Sequence, residues 1–376
     1  MKPPPPETPT PEPEIAEGAA CLIPGDRGSD YRLVAEIPVG LGPEGAVIDE
    51  ERRRAYVTCS RSHELTVIDL DTLTAIGSIG VGREPTDVTL DATRGRMFVC
   101  DLRGSTVSVI DLTTGEVVQT VGVPGYPSSV ALDPARGLVY CGCAAGSSVA
   151  VIDSDTLELL ENIPAGFGAG GIILDGERQR LYCANFLADT VTVIDTRERK
   201  PIITLEVGHA PCAMMINYRT RSAYVVNSAS DSISRIDLDD PLVVEEIAVG
   251  RGPVGVNVSA DERRIYAGNR AEGTVSVVGA SDHREWSRIP VGEAPAGFAV
   301  DAATGYLLVS NAGSNTVSVV EDLVSGPRAE LAPAVPHPLV GKPLPPFALP
   351  DLRTESLRHS REWAERKYIL HFFASW

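Results

Sequence analysis

The segment TVSVID, Thr106–Asp111, returns through the chain in register. LTVID ends at Asp69, VAVID at Asp153, TVTVID at Asp195, SISRID at Asp237, TVSVVG at Gly279 and TVSVVE at Glu321. Each end point follows the last by 42 residues, with no insertion in any interval. So strict a period means that one supersecondary unit is repeated, and that each copy buries its apolar face against the next.

Further slots recur in the same register. Val39, Val81, Val123, Val207, Val249 and Val291 share one, with Ala165 in the fourth copy; Pro43, Pro85, Pro127, Pro211, Pro253 and Pro295 share another, with Ala169 in the fourth. Each Pro opens a short apolar run such as VTLD or VALD, followed by a second run such as MFVCD or AYVVN, the VID-type run, and a last run such as PIITLEVG. Turn residues separate these runs, and no helical periodicity appears between Tyr31 and Glu321. The expected fold class is therefore all-β, a seven-bladed β-propeller of 42-residue, four-stranded repeats. RLVAEIPVG, from Arg32, matches the last strand of a unit, whereas the final unit has only three strands by Glu321. The N-terminal strand is thus expected to complete the last blade in a 1+3 closure, leaving no open sheet edge.

Charge narrows the partners. A net charge of −18 repels nucleic acid and anionic lipid. No run of about 18 apolar residues is present, so direct membrane insertion is not expected. Residues 1–30 are expected to be a disordered, Pro-rich tether, with no secretory signal visible in them. Small residues precede Cys21, but Pro and Glu stand where a lipidated cysteine needs an apolar stretch. The propeller is expected over 31–321 and a Pro-rich linker over 322–338.

The second run with its trailing Asn185, Asn227, Asn269 or Asn311, the VID run and the V-G-x-x-P loop resemble the YVTN-type β-propeller repeat over Arg32 to Glu321. That resemblance implies an extracytoplasmic protein, periplasmic or on the cell surface. It also implies a binding scaffold more than an enzyme, although some relatives are lactonases or haem-associated. Residues 339–376 resemble the start of a redoxin or thioredoxin-like domain through Gly341-Lys342-Pro343, Phe347-Ala348-Leu349-Pro350-Asp351, an apolar strand at 368–373 and Ala374-Ser375-Trp376. The Cys-x-x-Cys of that family would follow Trp376, so this segment is expected to be incomplete and to carry no thiol exchange.

No catalytic constellation stands out. The seven cysteines are an odd count and read as small apolar core residues; Cys141-x-Cys143 has no second pair at zinc spacing. G-x-S-x-G and CxxCH are absent. Neither a metal nor another cofactor is expected. The Asn slot reads as a turn cap, and Asp49, Asp91, Asp133, Asp175 and Asp301 read as a solvated ring of turn carboxylates. The slots left free by the repeat, between Gly and Pro, hold Leu41, Arg83, Tyr126, Phe167, His209, Arg251 and Glu293. Function is grafted where a fixed scaffold varies, so Arg83, Tyr126, Phe167, His209, Arg251 and Glu293 are the candidate ligand-binding residues. Arginines, a histidine and aromatics on one face suit a protein partner or a small anionic ligand. The expected function is a monomeric, non-enzymatic recognition scaffold. The alternatives are the propeller module of a thiol-disulfide oxidoreductase and a lactonase-like hydrolase.

Overall fold

The computed structural model describes residues 31–242, 244–323, 348–350 and 357–359. The chain divides into two units, Met1–Leu331 and Ala332–Trp376. Described residues of the first form seven four-stranded antiparallel sheets and no helix. These are the blades of a seven-bladed propeller. Six are continuous in sequence, over 43–80, 85–122, 127–164, 169–206, 211–248 and 253–290. The seventh takes Pro295–Val300, Leu307–Asn311 and Thr316–Asp322 from the end of the repeat, and Tyr31–Pro38 as its outer strand. Arg32 pairs with Glu321 and Ile37 with Val317, which is the expected 1+3 closure.

In the second unit, Ala348–Pro350 pairs antiparallel with Leu357–His359. The tether expected at 1–30, the linker after Leu323 and the rest of the thioredoxin-like segment lie outside the described residues.

The period also explains the core. The described residues hold seven buried apolar clusters, one at each seam between adjacent blades, including the seam between blades 7 and 1. One slot in the second strand carries Tyr56, Phe98, Tyr140, Tyr182, Tyr224 and Tyr266, all at most 2% exposed, with Leu308 in the seventh copy. Burying a large apolar side chain stabilises the fold by about 1.5–3 kcal/mol, so this column holds the stack together at every seam.

Near the axis the requirement is the opposite one. The third residue of each inner strand is Gly45, Asp87, Ser129, Gly171, Ala213, Gly255 or Gly297, small in every copy but one. A Cβ at Gly297 would strike the backbone carbonyl of Glu44 on the neighbouring blade. Asp87 fits by bonding rather than by smallness: its carboxylate accepts the Ser129 hydroxyl at 2.9 Å and the Val130 N–H at 3.0 Å, both on blade 3. Burial pushes that carboxyl up from its ordinary range.

Candidate recognition face

Alternation of strand direction sorts the turns. The V-G-x-x-P loops and the turns after the Asn slot share one face, here the upper; the two Asp turns of each blade share the lower.

Beneath the upper face lies a buried clamp. Asn185 donates from Nδ2 to the hydroxyls of Thr190 (3.0 Å) and Thr192 (2.9 Å), and accepts the Gly166 N–H at 2.9 Å. Asn227, Asn269 and Asn311 make the same pair of donations to Ser232 and Ser234, Thr274 and Ser276, and Thr316 and Ser318. In blade 2, Asp101 accepts from Thr106 and Ser108 instead, and burial raises its pKa. The asparagines therefore bind the second strand to the third, a larger role than the expected turn cap. Gly82, Gly166, Gly208, Gly250 and Gly292 lie on the side chain in that slot, and a Cβ at Gly166 would collide with the Asn185 amide; in blade 1 the slot holds Cys59. Blade 3 changes three of the parts together: Pro124 replaces the glycine, Cys143 the asparagine and Ala150 the second hydroxyl residue, while Ser148 keeps the first.

Above the clamp the backbone is the same in all seven blades. The carbonyl of the first residue after V-G accepts the N–H two residues past the Asn slot, as in Arg61 to Leu41, Arg103 to Arg83, Leu187 to Phe167 and Gly313 to Glu293. The next carbonyl accepts the N–H one residue past it, as in Phe186 to Gly168 and Ala144 to Tyr126. This second loop residue is left-handed in every blade, at φ between 53° and 77°. Tyr126 occupies that second position at φ 59°, while Arg83, Phe167, His209, Arg251 and Glu293 occupy the first.

The six predicted residues stand one to a blade around the ring and are not gathered into one pocket. Phe167 is 62% exposed, and Arg83 and Glu293 are exposed with no ion-pair partner among the described residues. The others have partners. Tyr126 lies under the Arg103 guanidinium at 5.4 Å, His209 Nδ1 is 2.8 Å from Asp189, and Arg251 Nε is 3.1 Å from Glu272. Asp189 also accepts the Ala210 N–H at 2.9 Å, so His209 is tied to the loop that carries it.

Sequence reasoning missed the other half of each loop clasp. Phe186 (43% exposed) and Leu187 (59%) stand beside Phe167 and make blade 4 the most apolar part of this face. Arg103 belongs to the same set. These residues fill two slots directly after the Asn position, and they vary between copies as freely as the loop residues do.

The lower face corrects one expectation. Asp49, Asp91, Asp133, Asp175 and Asp301 are not a solvated ring, since each is at most 3% exposed. Four of them pair with an arginine three residues on: Asp49 with Arg52, Asp91 with Arg94, Asp133 with Arg136 and Asp175 with Arg178. Asp301 is held across the closing seam by Arg53, at 2.7 and 2.8 Å through two parallel bonds, and its pKa falls to about 2. A cavity of about 300 Å³ between blades 1 and 2, lined by Arg54, Tyr56, Ile76, Gly77, Met97 and Leu112, contains none of the predicted residues. Among the described residues no group of three or more His, Cys, Asp or Glu could hold a metal ion.

Comparison with known proteins fits this geometry. The family model of the YNCE-like beta-propeller matches residues 26–221, just over half of the chain. No curated protein matches. Solved structures do, among them a chain of Kuenenia stuttgartiensis hydrazine synthase, 16% identical with a TM-score of 0.68, over 76% of this chain and 96% of that one. At that identity the likeness is one of fold alone.

Proposed function

Since this chain belongs to the YNCE-like beta-propeller family, we propose that it is a recognition module that binds a protein partner on its upper face and performs no reaction itself. The observation that carries this reading is the contrast within each loop clasp. The backbone is the same in all seven blades, while the side chains it presents differ and several are exposed. A rigid frame with variable, outward side chains costs little ordering on binding. Phe167, Phe186 and Leu187 supply an apolar anchor, and Arg83 and Arg251 supply charge around it. Large exposed apolar side chains grouped together favour a protein over a small anion. The asparagine slot and V-G-x-x-P loop also support a YVTN-type repeat and, with it, an extracytoplasmic location, which cell fractionation tests.

The experiment is affinity capture from extracts of the cells that make the protein, with retained proteins quantified by mass spectrometry. One bait carries Phe167→Ser and Leu187→Ser, a second Arg83→Ala and Arg251→Ala, and a third the lower-face change Glu177→Lys. A partner lost by the first two baits and kept by the third supports the reading. Retention indifferent to the upper face, or lost only with Glu177→Lys, overturns it.

A further inference from the structure

Three of the six described cysteines meet at one seam. Cys100, Cys141 and Cys143 are fully buried in the cluster between blades 2 and 3, and the sulfurs of Cys100 and Cys141 are 3.3 Å apart. We infer that Cys100 and Cys141 are a redox pair that closes to a disulfide joining blade 2 to blade 3.

The spacing explains the meeting. Successive strand residues point to opposite faces of a sheet. Two residues 42 apart fill the same slot and face different seams, as Cys141 and Cys183 do. Cys100 and Cys141 are 41 apart, so one projects from the front of its blade and the other from the back of the next, into a single seam. Both lie on second strands, Arg96–Asp101 and Leu138–Cys143, opposite Asp87 and Val130. Sheets packed face to face do accept a buried disulfide between them, as the B–F bridge of antibody domains illustrates. Cys143 is a poorer partner for Cys141: it sits two residues away on the same extended strand, and its sulfur donates to the Cys141 carbonyl at 3.5 Å.

The chemistry needs a small-molecule disulfide such as oxidised glutathione. One cysteine, deprotonated, attacks a glutathione sulfur, displaces one glutathione thiolate and forms a mixed disulfide. The second cysteine, deprotonated in turn, displaces the other glutathione. One Sγ–Sγ bond forms, the glutathione S–S bond breaks, and two electrons and two protons leave with the two reduced glutathiones. In the folded protein the exchange is slow. Burial raises the pKa of the Cys100 thiol, outweighing the contact with Cys141, which lowers it; the contact with Cys100, with burial, raises that of Cys141. The bridge therefore forms while the seam is open, during folding or its transient opening. In an oxidising compartment it would staple the two blades; in a reducing one the thiols remain as apolar filling.

The test uses the full chain, unfolded and refolded in a glutathione redox buffer or in excess reductant, then alkylated under denaturing conditions and mapped by mass spectrometry. The expected product of oxidative refolding is a peptide containing Cys100 linked to one containing Cys141, two hydrogens lighter than the free pair. The link should persist in Cys143→Ser, vanish in Cys100→Ala and Cys141→Ala, and raise the Tm in a way that reductant reverses. Native protein given the same buffer without unfolding should form it at least tenfold more slowly. Full alkylation of both cysteines after oxidative refolding overturns the inference, as does a dominant link from either one to any other cysteine. If an alanine variant fails to refold, mapping of the wild-type chain still decides.

Discussion

On the lower face arginines hold buried carboxylates and bridge the seams; on the upper face the ion pairs are more exposed, and Arg83 and Glu293 have no ion-pair partner among the described residues. Arg94 bonds Asp91 in its own blade and Asp155 in the next, Arg178 bonds Asp175 and Asp239 in the same manner, and Arg53 closes the circle on Asp301. Above, the loop carbonyls and N–H groups are committed while Arg83, Phe167 and Glu293 project outward. If the upper face is the recognition face we propose, the same 42-residue unit separates structure from recognition by face, and substitutions should separate the same way.

The largest effect is expected at the closing seam. Arg53→Ala leaves Asp301 buried without its partner, and we expect a loss of about 2–4 kcal/mol in urea unfolding, near the lower end of values for broken buried pairs because Arg53 is partly exposed. A loss below 1 kcal/mol would mean that the lower face does not hold the ring. The same pair sets an acid limit. Asp301 has a folded pKa of about 2, below its ordinary 3.8, so its contribution is complete above about pH 4 and disappears as pH falls through about 2. Asp301→Asn should flatten the stability profile across that window; an unchanged acid limb would assign acid sensitivity elsewhere.

Next in size is the clamp beneath the upper face. Asn269→Ala removes two buried donations and should cost about 1–3 kcal/mol by thermal unfolding. The smallest effect separates the loops from that clamp. Arg83→Ala with Arg251→Ala should change stability by about 0.5 kcal/mol or less, because exposed side chains and a surface ion pair contribute little. A large loss there would make the proposed recognition face a structural one.

Much of this was legible in the sequence, for identifiable reasons. A strict period exposes the blades, and the surplus strand at Arg32 beside a three-stranded last unit exposes the closure. V-G and the asparagine were visible as two slots, but their dependence on each other was not: Gly166 must be glycine because the Asn185 amide lies against it, 19 positions away. The lower carboxylates misled because a turn aspartate reads alike whether solvated or buried. Arginines three residues on were the available signal, and the seam that buries the pair exists only once blades stack. Phe186 and Leu187 were overlooked because residues after an asparagine look like ordinary turn filler; the loop opposite turns them outward beside Phe167.

The face assignment can be tested without knowing the partner. A photoreactive phenylalanine analogue placed at position 167 on the upper face, or at position 177 in a lower turn, is irradiated in living cells, and covalent adducts are resolved by mass shift and identified by mass spectrometry. Our account predicts a discrete adduct from position 167 and none from 177. An adduct from 177 alone, or none from 167, would contradict it.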